Sequence, residues 1–249
     1  MSFKPVPCQF FWPIFQAHRL RAVVSGILGA FLFIAAPMAA MANQNDVSGQ
    51  NAVSGKNGAS AETISIVGFG DSLMAGYQLG PDEGFPQQLE KALKEKGFDI
   101  SIANAGVSGD TTTGGLARLD WSVPDGTDLV ILELGANDAL RGISPDITEK
   151  NLDEMIKRLK ARNTGVILAG MFAPPNMGED YGKAFNAIYP RLAEKYGLPF
   201  YPFFLDGVTA QKPMLLEDGM HPNAQGVARM VEGFLPLAEE VIGGTKSGL

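Results

Sequence analysis

Cysteine and histidine are nearly absent from this chain of 249 residues. It has one cysteine, Cys8, and two histidines, His18 and His221. Acidic residues are missing altogether from residues 1–42, where Lys4, Arg19 and Arg21 supply positive charge. An apolar stretch at 22–36 follows, ended by Pro37, and Ala40-Met41-Ala42 provides a small-x-small cleavage site. This pattern is expected of an export signal. The competing reading, a retained membrane anchor, meets an apolar core shorter than the roughly 20 residues a spanning helix needs.

Removal of residues 1–42 takes Cys8 and His18 with it. The remainder has no cysteine, hence no disulfide, and its stability must come from its core. One imidazole with no thiol leaves too few ligands for a zinc site, so no metal is expected. The remainder carries 17 basic against 27 acidic residues, net −10. That surface argues against nucleic acid and anionic membrane as partners. Cleavage would also leave no stable membrane insertion. Residues 43–62 are rich in Ser, Gly, Asn and Ala, with Val47 and Val53 the only large apolar side chains. They bury too little to offset chain entropy and read as a flexible polar linker. Residues 63–243 suit one domain by size.

Within that domain, apolar runs alternate with amphipathic stretches. Strands are expected at 63–69, 100–103, 129–134, 166–171 and 200–204. Being almost continuously apolar, they fit parallel strands covered on both faces. Helical spacing marks 85–96, 144–162, 181–196 and 223–242. In 144–162, Ser144 is a natural N-cap and Pro145 fits the first helical position. The alternation predicts an α/β fold, a three-layer αβα sandwich on a mostly parallel sheet. Functional residues should then gather beyond the carboxyl ends of the strands.

Four polar clusters fall at those ends: Gly70-Asp71-Ser72-Leu73, Ser108-Gly109-Asp110-Thr111, Gly135-Ala136-Asn137-Asp138, and Asp218-Gly219-Met220-His221. A serine hydroxyl becomes a good nucleophile when a base takes its proton and a carboxylate fixes the tautomer of that base. Ser72, His221 and Asp218 supply those three types. Backbone N–H groups of Ser72 and Gly109, with the Asn137 amide, are candidate donors to a developing oxyanion. Asp71 and Asp138 are expected to make local backbone bonds. A plain turn at Gly70-Asp71-Ser72, or a capping role for Asn137 or the Asp218–His221 pair, is the structural alternative. The elbow Gly-x-Ser-x-Gly is not met, because Met74 stands where its second glycine belongs.

In order and spacing these four blocks resemble the SGNH (GDSL) hydrolase superfamily over about residues 64–226. Further likeness, to its bacterial periplasmic thioesterase, lysophospholipase and arylesterase branch, lies in residues 114–119, 133–142 and Ala187-Ile188-Tyr189-Pro190. The resemblance implies a flavodoxin-like sheet, no cofactor, Ser72 as nucleophile, His221 as base, Asp218 as its partner, and Gly109 and Asn137 as oxyanion donors. It further implies a small acyl ester or thioester as substrate, and a periplasmic or secreted location. Met74 departs from the branch, which often has serine there, and bears on substrate preference. A carbohydrate O-acetylesterase and a non-catalytic exported binding protein remain open. Against the first, Trp121 is the only tryptophan after residue 42, and Phe172-Ala173-Pro174-Pro175 is apolar.

The signal reading has a direct check. N-terminal sequencing of natively produced protein should start near Asn43, in the periplasm or outside the cell. An intact residue 1 in a membrane fraction would favour the anchor.

Overall fold

The computed structural model describes residues 63–246; the expected signal at 1–42 and linker at 43–62 lie outside them. The chain runs β1 (Ile64–Gly70), α1 (Ser72–Ala75), α2 (Phe85–Glu95), β2 (Ile100–Gly106) and α3 (Thr112–Ser122). It continues through β3 (Leu129–Glu133), α4 (Ala136–Leu140), α5 (Pro145–Ala161) and β4 (Gly165–Ala169). Then come α6 (Glu179–Asn186), α7 (Ile188–Tyr196), β5 (Phe200–Tyr201) and α8 (Ala224–Lys246). The five strands form one sheet in the order β2-β1-β3-β4-β5, and every pairing is parallel. This is the flavodoxin-like order.

The order reverses after β2, so right-handed crossovers place helices on both faces. α2 packs with α8, while α3 packs with α5, and α5 with α7. β3 is buried at all five positions, as expected for a central strand under two helix layers. Ile66, Val67, Phe69, Val130, Leu132, Ile167 and Leu168 form the sheet's share of the core.

Several element bounds differ from expectation, and α1, α3 and α4 are additional helices. β2 runs on to Gly106, because its backbone stays paired with β1 through Gly70↔Gly106 after the apolar side chains end. β5 shrinks to Phe200–Tyr201, because beyond Tyr201 the Gly170 carbonyl accepts from the Phe204 N–H and not from that of Phe203, which breaks the register. The expected helix at 181–196 breaks at Ala187 into α6 and α7. Pro190 removes the hydrogen bond to the Asn186 carbonyl and crowds it, which accounts for the break. α3 was not expected, because Gly114, Gly115 and its threonines are poor helix formers. Its start is secured by Thr111, whose side chain accepts from the Gly114 N–H, and its body by packing on α5.

The aromatic cluster between α2 and α8 locks the last helix in place. Phe85, fully buried, meets Phe204 edge-on at 4.7 Å and Phe234 at 5.3 Å between centroids. Phe85→Ala should therefore cost about 3–5 kcal/mol, as cavity-forming aromatic truncations do. Urea unfolding measures it; a loss below about 1 kcal/mol would show that this cluster does not hold α8.

Candidate active site

Ser72 opens α1, a single turn directly after β1, which lies between β2 and β3 in the sheet. Asp71 is its N-cap and accepts from the Leu73 N–H at 3.0 Å. Gly76 ends the turn in the left-handed conformation and donates its N–H to the Ser72 carbonyl. Such a short helix lies flat on the strand ends only if they carry no side chains beneath it. A Cβ at Gly106 would press on the backbone of Met74 and Ala75, and one at Gly70 would strike Glu133 and Met74. Ser72 is thus held close over the sheet, 9% exposed.

His221 arrives from the other end of the domain. Its loop folds back on itself by the Leu215↔Pro222 bridge and the His221 carbonyl, which accepts from the Leu216 N–H at 2.8 Å. Asn223 fastens this loop: its amide donates to the Pro213 and Leu215 carbonyls, and its oxygen accepts from the Gln225 and Gly226 N–H groups. Asp218 turns inward over Gly219 and accepts from the backbone N–H of Met220 and His221. Its other oxygen lies 2.6 Å from His221 Nδ1. The backbone bond from His221, then the imidazole bond, then Met220 hold the Asp218 carboxyl down at about 2. It is therefore ionised and accepts only, so Nδ1 carries the hydrogen. In the neutral ring Nε2 is then an acceptor, and it lies 2.9 Å from Ser72 Oγ.

Two neighbours of this chain of bonds were not foreseen. Tyr77 packs its ring against the His221 imidazole at 4.5 Å. The sequence signal was an aromatic just past the glycine that ends α1. Arg118, 7% exposed, gathers the strand ends beneath Ser72. Its guanidinium donates to the Asp110 carboxylate at 2.6 Å, to the Gly70 carbonyl at 2.9 Å and to the Ala105 carbonyl at 2.8 Å, and it stacks over Phe69.

Asn137 sits in the first turn of α4 and donates through Nδ2 to Asp71 Oδ2 at 3.1 Å. Asp71 thus has a long-range partner besides the local one expected. Burial pushes its carboxyl up to about 6, against the Leu73 and Asn137 bonds that favour the charge. Glu133, at the end of β3, is also wholly enclosed, and accepts from the Asp71 N–H at 3.3 Å. Burial first, and the Asp71 charge second, raise its carboxyl well above the ordinary range. The bonds of Asp138 are long-range where local ones were expected: Thr112 N–H and hydroxyl, and the Thr148 hydroxyl. It ties α3, α4 and α5 together.

Ser72, Asn137 and His221 line one cleft with Leu73, Leu140, Met171, Pro174, Leu205 and Met220. The enclosed volume is about 180 Å³. Leu140 and Met220, two of the lining residues, are half exposed. Phe172, also half exposed, stacks on Phe203. Gly109 does not line the cleft. It lies on the loop between β2 and α3 with φ +84°, and its carbonyl accepts from Arg141 at 2.8 Å. Met74 is fully buried against Gly68, away from the lining. Trp121 lies exposed beside a separate groove at Asn104–Val107 that shares no residue with the cleft. Among the described residues, no cluster of three or more His, Cys, Asp or Glu could hold a metal. No helix among them is long and apolar enough to cross a membrane.

Residues 69–229 match the GDSL-like Lipase/Acylhydrolase family. An arylesterase of Vibrio mimicus is 41% identical over 168 residues, 67% of this chain and 84% of that protein. The thioesterase 1/protease 1/lysophospholipase L1 of Escherichia coli is 39% identical over 166 residues, 66% of this chain and 77% of that protein. The crystal structure of AlinE4, an SGNH-hydrolase family esterase, superposes with a TM-score of 0.61 at 44% identity, covering 72% of this chain and 97% of that one. The matched span holds all of Ser72, Asn137, Asp218 and His221, and this chain belongs to the GDSL-like lipase/acylhydrolase family of ester-bond hydrolases.

Proposed function

We propose that this protein is a serine esterase that cleaves small acyl esters and thioesters by way of a covalent acyl-enzyme. The carrying observation is the continuous bond chain Asp218–His221–Ser72, 2.6 Å and 2.9 Å, at the mouth of an apolar cleft. His221 Nε2 takes the Ser72 hydroxyl proton as Oγ attacks the acyl carbon. Asp218, bonded to Nδ1–H, holds the tautomer and stabilises the imidazolium. The tetrahedral oxyanion is met by the Asn137 amide and by backbone N–H groups, those of Ser72 and Gly109 being the candidates. The Ser72 N–H belongs to the first turn of α1, where a helix leaves its N–H groups without internal partners. When the intermediate collapses, the carbon–leaving-group bond breaks and imidazolium protonates the departing alkoxide or thiolate. Water, deprotonated by His221, then attacks the acyl–Ser72 ester and releases a carboxylic acid and the free serine.

The cleft wall favours an apolar acyl group. Leu73, Leu140, Met171, Leu205 and Met220 offer little to a sugar hydroxyl, and Trp121, the only tryptophan among the described residues, stands elsewhere. A carbohydrate O-acetylesterase is the weaker reading for that reason. The names of the relatives, arylesterase and thioesterase/lysophospholipase, support the ester and thioester classes. Export to the periplasm or medium belongs to the same proposal and rests on residues 1–42.

Ser72→Ala should lower kcat at least about a thousandfold, leaving what binding and oxyanion donors supply. Aryl-ester turnover measures it, and near-wild-type activity would sink the nucleophile. The cleft sets a second expectation. Its wall is mostly apolar around a volume of about 180 Å³. Each added methylene that fits inside it should gain ~0.8 kcal/mol, a roughly fourfold rise in kcat/KM per carbon. Longer chains, running out over the rim, should gain less. An acetyl optimum in a chain-length series would turn the assignment toward the acetylesterase.

A further inference from the structure

We propose that Asp71 is a positioning residue that orients the Asn137 amide, so that its donor end and not its acceptor end serves the oxyanion site. The inference rests on the proposed role of Asn137 as an oxyanion donor. An asparagine amide can be reversed in place with little change of shape, exchanging two donor hydrogens for an acceptor oxygen. Something must choose between the two settings, and one of them would present a lone pair to a developing negative charge. Asp71 makes that choice by its chemistry. Its carboxylate, when ionised, only accepts, so the Asn137 atom 3.1 Å away must be the nitrogen. The second hydrogen on that nitrogen is left for the cleft, which Asn137 lines. Reversal would set two acceptors face to face in a site where Asp71 is fully buried, and no water can relieve the repulsion.

The rest of the surroundings hold Asp71 still. Oδ1 is engaged by the Leu73 N–H and the Asp71 N–H by Glu133 Oε2, so both its oxygens and its backbone are committed. The same residue therefore caps the helix that opens with Ser72 and fixes the group facing that serine from α4. The nucleophile and the donor share one anchor. The ionised carboxylate has a cost here, because burial pushes it up to about 6. Glu133 faces it across its own N–H, and Asp110 adds further negative charge, whereas His221 acts in the opposite sense. A charge kept in so unfavourable a place is consistent with a task that a neutral side chain cannot perform.

The test is a double-variant cycle at pH 8, where Asp71 is ionised. Asp71→Asn keeps a capping oxygen for Leu73, since Asn and Asp cap equally well. It also turns a donor toward Asn137, which then reverses and offers its oxygen to the cleft. We expect kcat to fall by tens-fold, toward the roughly hundredfold loss expected of Asn137→Ala, with KM within about twofold of wild type. The double variant Asp71→Asn/Asn137→Ala should be no slower than Asn137→Ala alone, because the two changes remove one interaction. Asp71→Ser, which caps but is too short to reach Asn137, should reproduce the kcat loss if the first variant does not fold. Wild-type kcat in a folded Asp71 variant, or losses that multiply in the double variant, would overturn the inference while leaving Asn137 in its role. Wild-type kcat in Asn137→Ala would instead remove the oxyanion reading, and this inference with it.

Discussion

A single hydrogen bond of 2.9 Å joins residues 149 positions apart, Ser72 and His221, and most of the architecture can be understood as what keeps those two atoms together. Neither residue belongs to a long element. Ser72 rides on a one-turn helix and His221 on a loop, so neither is positioned by its own segment. Their precision is borrowed. α1 is fixed by its Asp71 cap, its Gly76 end and the bare glycines of β1 and β2 beneath it. The His221 loop is fixed by the Asn223 latch and by α8, which the aromatic cluster of Phe85, Phe204 and Phe234 holds against α2. Rigid scaffolding of this kind matters because a misplacement of about 1 Å can cost on the order of a hundredfold in rate.

That scaffold also carries an unusual electrostatic load. Three carboxylates, Asp71, Glu133 and Asp138, are wholly buried near the carboxyl ends of β1 and β3. A buried ion is tolerated only where its hydrogen bonds are supplied locally. Asp138 receives three donors from two threonines, and Asp71 receives two, from Leu73 and Asn137. Glu133 accepts the Asp71 N–H on one oxygen, and its other oxygen has no hydrogen-bond partner. Burial, and after it the Asp71 charge, raise its carboxyl, and the single Asp71 N–H bond offsets little of that. The buried cation, Arg118, does not neutralise this group, since it pairs with Asp110 and caps strand carbonyls. Its work is mechanical: it ties the ends of β1 and β2 to α3, beneath Ser72.

Much of this was legible in the sequence, and the failures have a pattern. Parallel strands under two helix layers must be apolar on both faces, so five apolar runs revealed five strands and their order of use. Ser72, Asn137, Asp218 and His221 were legible because each lies within a few residues of a strand end or a helix start. Boundaries failed where backbone pairing or proline overrode side-chain pattern, as at Gly106, Phe204 and Pro190. The missed neighbours failed for another reason. Arg118 and Tyr77 act through contacts that no periodicity encodes, a buried guanidinium fan and a ring lying on an imidazole. Asp138 was read as local because aspartates so often bond their own turn, whereas its partners lie on α3 and α5. Gly109, chosen by motif, has the left-handed backbone expected of a special glycine but stands outside the cleft lining.

The apolar rim of the cleft is where stability and use diverge. Leu140 and Met220 are each about half exposed. Burying such a side chain fully is worth roughly 1.5–3 kcal/mol, so each forgoes part of that in the empty protein. Single exposed apolar residues need no explanation, but these two line one opening. An acyl chain leaving the enclosed part of the cleft would cover them and recover some of the lost burial. The gain would come as binding energy remote from the reacting carbon. Such energy accelerates the reaction only if it helps to set the carbonyl against Ser72 and Asn137; otherwise it lowers KM alone. Leu140 and Met220 line the same cleft as Ser72 and Asn137. Methylenes that help to hold the carbonyl against Ser72 and Asn137 are therefore the ones placed to raise kcat, and those that only cover Leu140 or Met220 tighten binding.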